Sequence, residues 1–117
     1  MKGHIEQQTD MFSYIPLEQR VPKNHPLRKM KDIIDPILDE MGEKNEKMYS
    51  RTGRPSIPPE MLIKSLFLQM LYGIRSERVL LEQLEFNLLY RWFVGLKADD
   101  QLWVETVYSK NRNRLFN

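Results

Sequence analysis

Apolar residues recur along much of this chain at spacings of three and four, the period of an α-helix with one face turned inward. From Pro26 onward the series is Leu27, Met30, Ile33, Ile34, Ile37, Leu38 and Met41. Pro26 suits a first helical position and Asn24 or His25 suits the cap, so a first helix is predicted over residues 25–42. Pro36 should bend it, and Gly42 should end it. A second helix is predicted from Pro59 to Tyr72, with Glu60 well placed in its first turn and Gly73 beyond its end. Met61, Leu62, Ile63, Leu66, Phe67, Leu68, Met70 and Leu71 cover most of its circumference, which marks the central helix of a small bundle. Ser76 caps a third helix from Glu77 to about Phe86, with Leu80, Leu81 and Leu84 facing inward. Asn87 breaks that run, and Leu88 to Val94 forms a short fourth helix closed by Gly95. A last helix begins near Glu105 or Thr106, with Val104, Val107, Tyr108 and Leu115 on one face.

Between these elements the pattern lapses. Residues 1–24 show no sustained period and carry Pro16 and Pro22; they read as an extended arm anchored by Phe12, Tyr14, Ile15, Leu17 and Val21. Residues 43–58 read as a basic Pro/Gly linker, whose first half has room for a helical turn and whose second half, Gly53 to Pro58, does not. The expectation is one all-α domain over residues 1–117, a bundle of about five helices with its helical core at 59–117. Its C-terminal part is helix-turn-helix-like.

Composition narrows the function classes. A length of 117 residues suits one domain with a modest core. The absence of cysteine removes disulfide scaffolds, thiol nucleophiles and thiolate metal sites together. The first eight residues, Met1 to Gln8, are polar and form no leader, and the longest apolar-rich run, Met61 to Tyr72, is shorter than the ~20 residues of a membrane span. A cytoplasmic protein with no membrane partner is expected. The net charge of +2 conceals a division. Residues 1–50 carry eight Lys/Arg against nine Asp/Glu, whereas residues 51–117 carry ten against seven. The basic bias of the second part fits either a solvated surface or an anionic partner.

Catalytic chemistry finds little support. His4 and His25 have no ligand spacing between them, and His25 beside Pro26 reads as a helix cap. Asp32, Asp35, Asp39 and Glu40 cluster on the first helix, but Arg28, Lys29 and Lys31 balance them and a solvated face results. No phosphate loop, nucleophile elbow or Ser/His/Asp set is present, so no catalytic residue, metal site, cofactor or small-molecule substrate is expected. Nucleic-acid binding fares better. The last helix presents Ser109, Lys110, Asn113 and Arg114 at offsets of 3, 4, 7 and 8 from Thr106. Short polar side chains for base edges and basic ones for phosphates are what a reading helix needs. Arg112 adds a further cation, although the connection from Gly95 to Val104 is long for a helix-turn-helix, and a solvated amphipathic helix is the alternative. The segment Arg51-Thr52-Gly53-Arg54-Pro55 suits a narrow minor groove or the phosphate backbone, or is an ordinary linker. In Tyr90-Arg91-Trp92-Phe93-Val94-Gly95-Leu96 the aromatic rings read as core, with Trp103 alongside.

Several of these motifs occur together in one family. The runs Gly53-Arg54-Pro55-Ser56-Ile57-Pro58-Pro59-Glu60-Met61-Leu62, Leu71-Tyr72-Gly73-Ile74-Arg75-Ser76-Glu77-Arg78 and Leu89-Tyr90-Arg91-Trp92-Phe93-Val94-Gly95-Leu96 resemble the InsH-type N-terminal domain of bacterial insertion-sequence transposases. Thr106 to Leu115 resembles the helix that closes that domain, and Val21 to Arg28 its beginning. The resemblance spans roughly residues 10–117. It implies a nucleoid-associated bacterial domain that engages double-stranded DNA at the terminal inverted repeats of the element. In such transposases a following RNase H-like domain holds two Asp and a Glu that bind divalent metal and cut DNA. Those acidic residues have no matching positions here, Asp99 and Asp100 included, so the chain is expected to be no enzyme by itself. The leading expectation is therefore a DNA-binding domain. Arg51 and Arg54 would contact the minor groove or backbone, Lys110, Arg112 and Arg114 phosphates, and Thr106, Ser109 and Asn113 the bases. The alternative is an interaction module whose apolar helix 59–72 docks a second copy or the catalytic domain, and a third reading is a repressor-like regulator built on the same fold.

Overall fold

A computed structural model describes residues 15–52 and 55–116. Among them the chain forms six helices: α1 (Leu17–Arg20), α2 (Pro26–Thr52), α3 (Pro59–Leu71), α4 (Glu77–Phe86), α5 (Leu88–Val94) and α6 (Glu105–Phe116). The all-α class is as expected, and α3 is the hub, packing against α2, α5 and α6. Leu62 and Leu68 of α3, Leu80, Leu81 and Leu84 of α4, Phe93 and Val94 of α5 and Tyr108 of α6 are all buried in one cluster. The rings of Phe67 and Phe93 stack across the α3–α5 contact with centroids 6.4 Å apart. No helix among the described residues is long and apolar enough to cross a membrane.

Local chemistry places the helix ends. The His25 imidazole caps α2, its Nδ1 accepting from the Leu27 N–H at 3.1 Å. Ser76 Oγ accepts from the Val79 N–H to open α4. Asn87 ends α4 and opens α5 at once, its side chain accepting from the N–H groups of Leu89 and Tyr90. Gly95 closes α5 at φ 102°, a left-handed conformation that favours glycine.

Two boundaries differ from expectation. The first helix does not stop at Gly42 but runs on to Thr52, so the linker expected over 43–58 is helical in its first part. A Cβ at Gly42 would lie 2.7 Å from Glu60 Oε1, the far end of a flexible side chain of α3 that can swing aside, and Gly42 itself continues the helix. The residues after it lack a helix breaker until Gly53 and Pro55. The arm, in turn, contains the single turn α1. Its placement follows from Trp92, whose buried indole N–H needs an acceptor and donates to Glu18 Oε2 at 2.6 Å. Arg28 pairs with the same carboxylate, donates to the backbone carbonyls of Glu18, Val21 and Pro22, and lies over the Trp92 ring at 5.1 Å. These bonds from Arg28 and Trp92 hold the Glu18 carboxyl below its ordinary range.

Two polar residues of α3, Lys64 and Ser65, are buried. Lys64 pairs with Asp35 of α2, which Lys31 also grips from one turn before. Burial would raise the Asp35 carboxyl, but the bonds and charges of Lys31 and Lys64 outweigh it and hold it below its ordinary value.

Candidate nucleic-acid interface

Few apolar side chains hold α6 in place. Tyr108 is fully buried and Val107 packs against the core, but Val104 and Leu115, expected on the same face, are exposed. Polar contacts do the remaining anchoring. Ser65 Oγ donates to the Leu62 carbonyl at 2.7 Å, which leaves its lone pairs to accept from the Tyr108 hydroxyl at 2.7 Å. Burial pushes the Tyr108 phenol up from its ordinary value, and the Glu77 carboxylate adds to this. Asn111, one turn on, is buried as well. Its Nδ2 donates to Ser56 Oγ at 2.9 Å and to the Val107 carbonyl at 2.8 Å, while its Oδ1 accepts from the buried Ile57 N–H at 3.3 Å. The third anchor is Glu77, the first residue of α4. Ser109 Oγ donates to its Oε2 at 2.6 Å, and Arg112 Nη1 lies 2.7 Å from its Oε1.

The expected site residues therefore divide. Thr106, Lys110, Asn113 and Arg114 are exposed. Lys110 and Asn113 follow Thr106 by four and seven residues, which keeps the three within one arc of the helix, opposite Tyr108 and Asn111. Ser109 and Arg112 turn instead to the flank against α4 and are engaged by Glu77. Arg51 belongs to the final turn of α2 but its side chain lies outside the described residues, as does Arg54 entirely. The segment that follows them comes close to α6: Pro55, Ile57, Asn111 and Arg114 line one cleft of about 190 Å³.

The path into α6 differs from a compact helix-turn-helix. The principal neighbours of α6 are α4 and α3, not the preceding α5. The connection from Gly95 to Val104 leads from α5 to a helix seated on α4 and α3, and Arg91 fastens its first part. This guanidinium, only 3% exposed, donates from Nη1 to the carbonyls of Lys97 at 2.7 Å and Asp100 at 2.8 Å, and from Nε to the Leu84 carbonyl at 2.7 Å. Asp100 Oδ2 accepts from the Lys97 N–H at 2.8 Å and closes the turn. Trp92 and Phe93 are core, as expected, and Trp103 packs on Tyr108 with ring centroids 6.2 Å apart.

Three residues that position the helix escaped the sequence reading: Glu77, Arg91 and Asn111. Only Asn111 had a signal, since it falls three residues after Tyr108 on the inward side of α6. No three His, Asp or Glu side chains among the described residues gather as ligands for a metal ion.

The arrangement offers an outward polar and basic helix face on a fixed base. No curated protein and no solved structure is significantly similar to the chain. A family comparison does match, over residues 15–114, nearly the whole of the helical body just described, and on it the chain belongs to the transposase domain (DUF772) family.

Proposed function

We propose that this domain binds double-stranded DNA at the terminal inverted repeats of an insertion sequence, as the recognition part of a transposase, and does not itself cut DNA. The outward face of α6 carries the reading. Thr106, Lys110 and Asn113 stand exposed opposite the side pinned by Tyr108 and Asn111, and the exposed Arg114 lies at the edge of that face, beside the Pro55 cleft. A helix so held can enter a major groove, with Thr106 and Asn113 reaching base edges and Lys110 and Arg114 phosphates. Arg51 and Arg54, next in sequence to the cleft wall at Pro55, add a basic arm for the minor groove or backbone. Family membership supports the DNA partner. Such a partner would place the protein at the bacterial nucleoid.

A gel shift against duplex carrying the element's terminal repeats tests this. Binding should weaken as salt rises, and Lys110→Ala with Arg114→Ala should reduce the slope of log K against log salt by about 2. Absence of salt-sensitive binding, or no preference for the repeat over random duplex, would overturn the proposal.

One observation favours a second reading, self-association or docking of a catalytic domain. Ile33, Ile37 and Met41 lie exposed on α2 at successive spacings of four, an apolar stripe on a different helix from the one expected. Sedimentation equilibrium checks it: a clean monomer at tens of micromolar would set the self-association reading aside.

A further inference from the structure

Among the described residues, Arg112 is the one cation of α6 that forms an ion pair. It follows Thr106 by six residues, which turns it about 120° round the helix from Thr106, toward α4. There it meets Glu77, whose side chain is only 14% exposed: one oxygen accepts from the Ser109 hydroxyl, and the other, buried and without an aligned hydrogen bond, has the half-exposed Arg112 guanidinium 2.7 Å away as its counter-charge. Glu77 is itself tied down. It is the first residue of α4, where the unpaired N–H groups of a helix end favour a carboxylate, and Ser76 caps that end. Moving Arg112 out to a phosphate would leave this nearly enclosed carboxylate with a single hydroxyl partner. A phosphate contact at a solvated rim, screened by salt, offers less in return.

Resting on the DNA reading, we propose that Glu77 withholds Arg112 from the nucleic acid and thereby sets the specificity of α6. The pair stays closed when DNA binds. Arg112 is then a positioning residue that fixes the rotation of α6, and the phosphate attraction of this helix is confined to Lys110 and Arg114. Sequence-independent affinity scales with the number of phosphates neutralised, whereas base contacts do not depend on Arg112. Holding one cation back lowers binding to random DNA and leaves the base-reading face unchanged.

The test measures Kd by fluorescence anisotropy against a random-sequence duplex over a range of KCl concentrations. Arg112→Gln should leave the slope of log K against log salt unchanged. Glu77→Gln frees the guanidinium, so it should steepen the slope by about 0.9 and tighten random-duplex binding several-fold. The double variant Glu77→Gln with Arg112→Gln should return to the wild-type slope. A purely structural role for the pair would alter folding without this pattern of slopes. The proposal is overturned if Arg112→Gln, with its helical circular dichroism intact, flattens the slope by about 0.9, since Arg112 then touches phosphate. It is equally overturned if folded Glu77→Gln leaves the slope unaltered. Should Glu77→Gln not fold, the Arg112→Gln slope alone decides. Absence of salt-sensitive binding by the wild-type domain removes the DNA reading itself, an outcome distinct from either slope result.

Discussion

Replacing Arg91 by Met tests how the long connection into α6 is held. The substitution keeps most of the aliphatic stem in its slot and removes the guanidinium. Four carbonyls lose a donor: Leu84, at the end of α4, and Lys97, Ala98 and Asp100, in the turn after Gly95; the Glu85 carboxylate loses an ion partner as well. A hydrogen bond to a charged group contributes about 1.5–3 kcal/mol. The Lys97 and Asp100 carbonyls sit in a turn that water can reach, so part of their loss is recovered. The Leu84 carbonyl lies on a fully buried residue and recovers less. The expected net cost is about 3–5 kcal/mol, the range for removing one partner of a buried charged network. With a urea m-value of about 1.5 kcal/mol/M for a domain of this size, the midpoint should fall by about 2–3 M. Arg91→Lys should cost about 2 kcal/mol, because one ammonium cannot span acceptors that a planar fork reaches together. Urea titrations followed by far-UV circular dichroism give both numbers. A loss below about 1 kcal/mol for Arg91→Met, at unchanged m, would refute the reasoning, for it would mean that the turn holds without its clamp.

Three further outcomes follow from the same bonds. Asn111→Ala removes the acceptor of the buried Ile57 N–H together with two donated bonds, and should cost about 2–3 kcal/mol in urea while raising hydrogen exchange at Ile57. Asp35 has its folded pKa below its unfolded value near 3.8, so its pairs with Lys31 and Lys64 contribute fully above that pH and are lost as pH falls through the folded value. Stability should therefore decline below about pH 4, and Asp35→Asn should flatten that acid limb while costing about 1–3 kcal/mol at pH 7, since Lys64 is left buried without its partner; an unchanged limb would contradict the assignment. Gly95→Ala places a Cβ at φ 102° with Met61 Cε no nearer than 3.8 Å, so its cost, about 1–2 kcal/mol in thermal melts, is conformational and not steric.

Most helix boundaries were legible because they depend on local chemistry. Ser76, Asn87 and Gly95 act through their own backbones and nearest neighbours, and the pattern of Leu80, Leu81 and Leu84 sufficed to orient α4. Gly42 misled because a glycine that ends a helix and one carried within it look the same in one dimension; α2 runs through it, with no further breaker before Gly53. The candidate site was legible in its exposed half. Thr106, Lys110, Asn113 and Arg114 follow from helical periodicity alone. Glu77 was not legible, because it meets Ser109 and Arg112 across 32 and 35 positions of chain. A surface cation and an internally paired one carry the same letter.

The manner in which α6 is anchored bears on what it can do. Hydrophobic contact is nondirectional, so a helix resting only on Val107 and Tyr108 would be free to roll by tens of degrees at little cost. Hydrogen bonds weaken steeply with misalignment and resist that roll. Here they reach α6 from three elements: α3 through Ser65, α4 through Glu77, and the Ser56–Ile57 segment through Asn111. Three contacts from separate directions fix rotation as well as position. A solvated amphipathic helix has no need of such fixing, because its outer side chains meet only water. A helix whose outer side chains must meet fixed donors and acceptors does need it, since a roll of one residue step would replace Thr106, Lys110 and Asn113 with their neighbours. The polar anchoring of an otherwise weakly apolar helix thus argues for a recognition role more strongly than the exposed residues do by themselves. It also implies that Asn111→Ala should reduce discrimination between the terminal repeat and random duplex more than it reduces random-duplex affinity. Equal loss on both duplexes in the gel shift would show that rotation of α6 does not matter to recognition.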